Sequence, residues 1–268
     1  MASSASLSIR GGRGGGAPGI GAAIDRWIYV FMASWFLVVT LVGFVPDSIG
    51  LVAATRAGTR PPLPVILHVH AVLMGGLLLL LLAQTVLMAT GMTDRHRLLG
   101  RVMMVLAPTI FIVWVILVPT IYHEYWHAAQ SRTASVPVRT LARALDDILL
   151  GQLRVGILFP LFVFVGLRAR STDPGLHKRM MILAIATILP PALARMWWLP
   201  KPLPGLMSFD LYILLIVSPM FIWDLVRKAR IPTAYLIWAG CYALVSIPAY
   251  LLTGSRWWHG VAARLMGV

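Results

Sequence analysis

Residues 67–94 read LHVHAVLMGGLLLLLLAQTVLMATGMTD. Nothing between His70 and Asp94 carries a formal charge, and positions 77–82 are six consecutive leucines. A bilayer core takes about 20 apolar helical residues to cross. The helix of a water-exposed surface would alternate an apolar stripe with a charged one, whereas here Gln84 is the one strongly polar side chain of the run. The stretch therefore reads as a membrane span, with two histidines at its mouth.

The rest of the chain follows suit. Of its 268 residues 59% are hydrophobic and 12% charged, with a mean hydropathy of +0.83, about half the charge of an ordinary soluble domain. Apolar segments occur at about 27–45, 63–91, 98–122, 144–168, 178–197, 207–226 and 232–253. The clusters PDSIG, GMTD, QSRTASVP, RSTDPG, LPKPLPG and RKARIP separate them. The purely apolar part of the fourth, Val155–Leu167, is too short to span, so Asp146, Asp147 and Arg154 are counted inside its outer half. The fold expected is all-α, a polytopic transmembrane helix bundle of about seven spans.

Residues 1–24 are rich in Gly, Ser and Ala with two arginines and read as a disordered basic tail. Residues 25–268 then form one transmembrane helical domain. The run after Arg26 is too long for the core of a signal peptide and lacks a small-x-small cleavage site, so it is read as the first span. The net charge of +14 belongs to short loops rather than to a soluble basic domain, which excludes nucleic acid and points to the lipid bilayer. Seven spans put thirteen of the 23 basic residues on the side of the N-terminus and nine on the other, with Arg154 inside. That asymmetry predicts a cell (inner) membrane protein with a cytoplasmic N-terminus. The lone Cys241 lies in an apolar run, so no disulfide framework and no thiolate metal site is expected.

Three motifs stand out as a set: HVHAVLM followed by Gln84, then DRHRLLGR, then GLHKRMMILA with Arg195 beyond it. Together they resemble an uncharacterised bacterial multi-pass membrane protein family whose helices open with H-x-H, H-R-x-L-G and H-K-R-[LM]-M. The resemblance covers about residues 26–200; it implies a common fold and brings no established activity. There is also an analogy to the two-haem transmembrane cytochromes b, which hold histidines near both membrane faces. Those carry paired histidines on one helix, and no span here has such a pair.

Helical spacing sorts the polar residues. His70, Met74, Leu77, Leu81 and Gln84 share one stripe, while His68 points nearly the opposite way. His96 shares a face with Gly100, Met103 and Ala107, and His177 and Arg195 are five turns apart on one predicted helix. Histidines in spans are functional candidates by default. The first reading is a haem-b-binding membrane redox or electron-transfer protein, with His70, His96 and His177 as ligands or hydrogen-bonding groups and Gln84 beside them. Arg97 or Arg179 would then meet the haem propionates.

HEYWH at 123–127 supports an alternative, a metal-dependent membrane enzyme. On a helix His123 and His127 would offer two nitrogens to zinc or another transition-metal ion, with Glu124 placed to activate water and His68, His70 or Asp147 as third ligand. A third reading is a lipid-binding or accessory subunit that meets other membrane-complex subunits. Asp147 and Arg154, seven residues apart, are expected to compensate each other inside the fourth span.

Overall fold

The computed structural model describes residues 19–130 and 138–268, which form nine helices and no strand. These are α1 (Ile20–Arg56), α2 (Val65–Ala89), α3 (Thr93–Gln130), α4 (Val138–Ala169), α5 (Pro174–Ala186), α6 (Pro190–Arg195), α7 (Met207–Lys228), α8 (Thr233–Leu252) and α9 (Arg256–Met266). Seven segments are long and apolar enough to cross a membrane, with α5 and α6 together making the fifth. The protein is a multi-pass membrane helix bundle. Large apolar side chains such as Val72, Val105, Phe164 and Leu244 stand exposed on its outside, where lipid takes the place of water. Most of the tail reading, residues 1–18, lies outside the described residues; positions 20–24 already belong to α1.

Local chemistry accounts for the helix ends. The Asp173 carboxylate accepts from the Leu176 amide at 2.9 Å, and Pro174 opens α5 with a preset φ. Ser255 caps α9 in the same way through Trp258 N, and Gly267 closes it at φ +73°. α1 passes straight through Pro46, so PDSIG is helical rather than a separator, and the helix continues to Arg56. HEYWH is helical too, because α3 runs past Pro119 to Gln130.

The fifth span departs most from expectation. A continuous helix over 178–197 is predicted, but the chain breaks at Thr187–Leu189, because Pro190 and Pro191 have no N–H to continue the ladder. His177 and Arg195 therefore do not share one helix face. Irregular backbone inside a membrane must be satisfied by protein. The buried Thr187 hydroxyl does part of this, donating to Leu183 O at 2.9 Å and accepting from Trp238 Nε1 at 3.4 Å.

α5 is the hub of the bundle. It packs against α1, α4, α7 and α8, and Met180 and Ile182–Ala186 are all buried. α2 and α3 flank this centre through α1 and α4, and the short α9 lies against α3 and α4. α6 is held by α1, where Gly43 lets the two backbones meet: a Cβ there would run into Ala192 O. Gly43→Ala should thus force the helices apart and cost roughly 1–3 kcal/mol. Gly240→Ala, with nothing within 4 Å of its would-be Cβ, should be neutral or stabilising. Thermal unfolding of both variants in one detergent checks the contrast.

Candidate functional site

The openings of α3 and α5 bring His96 and His177 together at the end of the bundle where α1 begins. Their ring centroids are 6.5 Å apart, with planes at 77°. His177 Nδ1 lies 2.7 Å from Gly166 O on α4. A carbonyl can only accept, so Nδ1 carries the proton and Nε2 keeps its lone pair for another partner. His96 Nδ1 is buried without a hydrogen-bond partner, as is Gln84 Oε1 on α2. The Gln84 amide lies beside Gly100, one turn from His96: its Nε2 is 3.5 Å from where a Gly100 Cβ would be and is the one atom near that point. Four helices thus surround two imidazoles, of which His96 also meets the Gln84 backbone, and two buried polar atoms left without a partner among the described residues.

His70 does not join this pair. It is half-buried with Nδ1 unpartnered, as the stripe argument expects, but it sits fourteen residues before Gln84 on the same helix. At 1.5 Å per residue that is about 21 Å away, toward the other end of the bundle. A common stripe fixes direction around a helix and says nothing of depth along it. His68 is exposed, with Nδ1 3.1 Å from Pro64 O.

The groups named for a metal enzyme do not assemble. His123 and His127 stack at 6.2 Å on consecutive turns of α3, and Glu124 beside them is exposed. Asp147 instead accepts a hydrogen bond from Gly254 N at 2.9 Å. Among the described residues no group of three or more His, Cys, Asp or Glu side chains is placed to hold a metal ion.

Arg154 is compensated, but not by Asp147. The two lie about 10.5 Å apart along the axis, and among the described residues no ion pair joins them. Its partner is Asp210 in the first turn of α7, held by both terminal nitrogens, with Nη2 to Oδ1 at 2.9 Å. Tyr242 and Tyr250 of α8 donate to the same carboxylate, and Arg154 also donates to Ser246 Oγ at 3.3 Å. Arg154 is 3% exposed, so the ion pair at the centre of this knot is shut off from lipid and water alike.

A second knot lies nearer the histidines. Arg179 Nε donates to Asp224 Oδ2 at 2.7 Å, Nη2 reaches the other oxygen, and Tyr235 donates to Oδ2 at 2.8 Å. Arg179 Nη1 is taken by Gly175 O at 2.8 Å. Engaged on every side, Arg179 is unavailable for the propionate role expected of it. Arg97 remains exposed, with only a loose contact to Asp94 at 3.8 Å.

A third cluster escaped the sequence reading. Asp146 of α4 accepts from Tyr122 at 2.7 Å and pairs with His259 Nδ1 at 2.9 Å, while Trp258 Nε1 donates to its backbone oxygen. The missed aspartates did carry a signal. Asp210 and Asp224 interrupt an apolar span, where an acid is rare and demands a partner, and fourteen residues put them on one face of α7. No family model, no curated protein and no solved structure matches the chain.

Proposed function

We propose that the chain is a membrane redox protein that binds haem b between His96 and His177 and takes part in electron transfer. The observation that carries the reading is the juxtaposition of these two imidazoles from different helices. Imidazole nitrogens bind metals at about 2.0 Å, so rings that share a metal have centroids roughly 6 Å apart; the His96 and His177 rings lie at 6.5 Å and, unlike His123 and His127 at 6.2 Å, come from different helices. The donor set favours haem over a bare ion. A zinc or copper ion would find two protein ligands, whereas haem would bring its own pyrrole nitrogens and need no more than the two imidazoles from the protein.

Bound there, the group supplies one-electron chemistry at its iron. The chain's own residues do the rest. Gly166 O fixes the ring of His177 and leaves Nε2 free, and the apolar packing of α5 keeps water from the core side of the pair. Gln84, a flexible side chain, occupies the space left open at Gly100 and carries an amide able to bond to a ligand edge. Arg97, exposed at the end of the bundle, is the cation suited to a propionate.

Absorption spectra of the purified protein, oxidised and reduced, after expression with ample haem supply, test this. A Soret band with low-spin six-coordinate features is the expected result. A wild-type protein without haem absorbance overturns the reading.

We place the N-terminal end of the bundle in the cytoplasm, on the basic asymmetry of the loops. A reporter fused after Val268 should be active only if it works outside the cytoplasm. A strong cytoplasmic signal reverses the orientation.

A further inference from the structure

Where α5 and α8 begin, a cavity of about 150 Å³ opens at the N-terminal end of the bundle. Arg179, Lys228, Arg230 and Thr233 line it, with Asp173 among them. The left-handed turn at Ala229, φ +51°, ends α7 between the two outer cations, and Pro232 then starts α8. Arg179 is neutralised by Asp224 behind it. Lys228 and Arg230 are exposed and form no ion pair or hydrogen bond among the described residues. Asp173 has one carboxylate oxygen on the Leu176 amide and carries the one negative charge facing them. The lining therefore holds a surplus of one positive charge, and the opening turn of α8 adds the positive end of a helix dipole.

We infer that this cavity binds a phosphodiester anion, as the headgroup of an anionic phospholipid or as a free phosphate ester. Three observations converge on that chemistry. The single surplus charge matches the single charge of a diester. Lys228 and Arg230 supply charged donors for its non-bridging oxygens. The free oxygen of Asp173 is an acceptor suited to a hydroxyl on the alcohol side. Its position at the end of the bundle puts the cavity at the depth where headgroups lie. The site makes no use of the histidine pair and stands whether or not haem binds.

The test uses the full chain in nanodiscs of phosphatidylglycerol and phosphatidylcholine, followed by native mass spectrometry of retained lipid. Lys228→Gln combined with Arg230→Gln should weaken retention of phosphatidylglycerol by roughly 30-fold, the loss expected of two cations at an anionic headgroup. Thr233→Glu is the second variant. A carboxylate in the first turn suits α8 itself, so the fold is kept while the anion is repelled. Wild-type protein should retain phosphatidylglycerol over phosphatidylcholine, and both variants should lose that preference. If inorganic phosphate or glycerophosphoglycerol, a soluble diester, displaces the lipid from the wild type, the site takes soluble phosphates as well. If neither does, it is a lipid site. Equal retention of phosphatidylglycerol by wild type and either folded variant, or no preference in the wild type, overturns the inference.

Discussion

Asp210→Asn should be among the most damaging single changes to the stability of this protein, at about 3–5 kcal/mol. The substitution leaves the Arg154 guanidinium charged, 3% exposed and facing a neutral amide. Tyr242 and Tyr250 lose the charge on their common acceptor at the same time. Arg154→Gln should cost a similar amount, since the carboxylate is then left with two phenols. Combining the two removes both charges and leaves groups that can still hydrogen-bond, so the double variant should recover much of the loss. Unfolding midpoints in detergent give the coupling. If the double change is as damaging as the singles added together, the pair is not what holds α4 to α7 and α8. Asp147→Asn is the informative contrast. It replaces an acceptor for one backbone amide at the end of α8 and should cost no more than about 1 kcal/mol.

The second large effect is spectroscopic. If haem binds between His96 and His177 as proposed, either His→Ala change would remove one of its two protein ligands and should abolish the six-coordinate low-spin spectrum. His177→Ala also deletes the contact to Gly166 O, so this variant should retain less haem than His96→Ala. His123→Ala, on an outer turn of α3, should leave the spectrum intact. His70→Ala separates the sequence grouping from the structural one. It lies about 21 Å from Gln84 along α2 and should also leave the spectrum unchanged. A spectrum lost with His70→Ala and kept with His96→Ala would refute the pairing.

Much of the architecture was legible along the chain. Seven apolar runs became seven spans, because crossing a bilayer depends on the length and hydropathy of a local segment. His70 is half-buried and His68 exposed, an order that helical periodicity can give without knowledge of neighbours. Local reasoning failed where punctuation was taken too literally. Pro46 stands inside a helix that continues, whereas the Pro190–Pro191 pair, with two amides missing in succession, does break one.

What the sequence determined by itself is the class, the number of spans and, within an unbroken helix, which residues share a face. All three follow from sums or periods along one strand of chain. Which polar groups meet was decided only by the tertiary structure. Arg154 passes over Asp147, about 10.5 Å along its own helix, and takes Asp210, 56 residues away in sequence. Asp146 finds His259 at a separation of 113 residues, and His96 meets His177 from another helix. In a low-dielectric interior every buried charge must end beside its complement. The lateral packing of helices around α5 selects that complement, and no periodicity within a single helix encodes it.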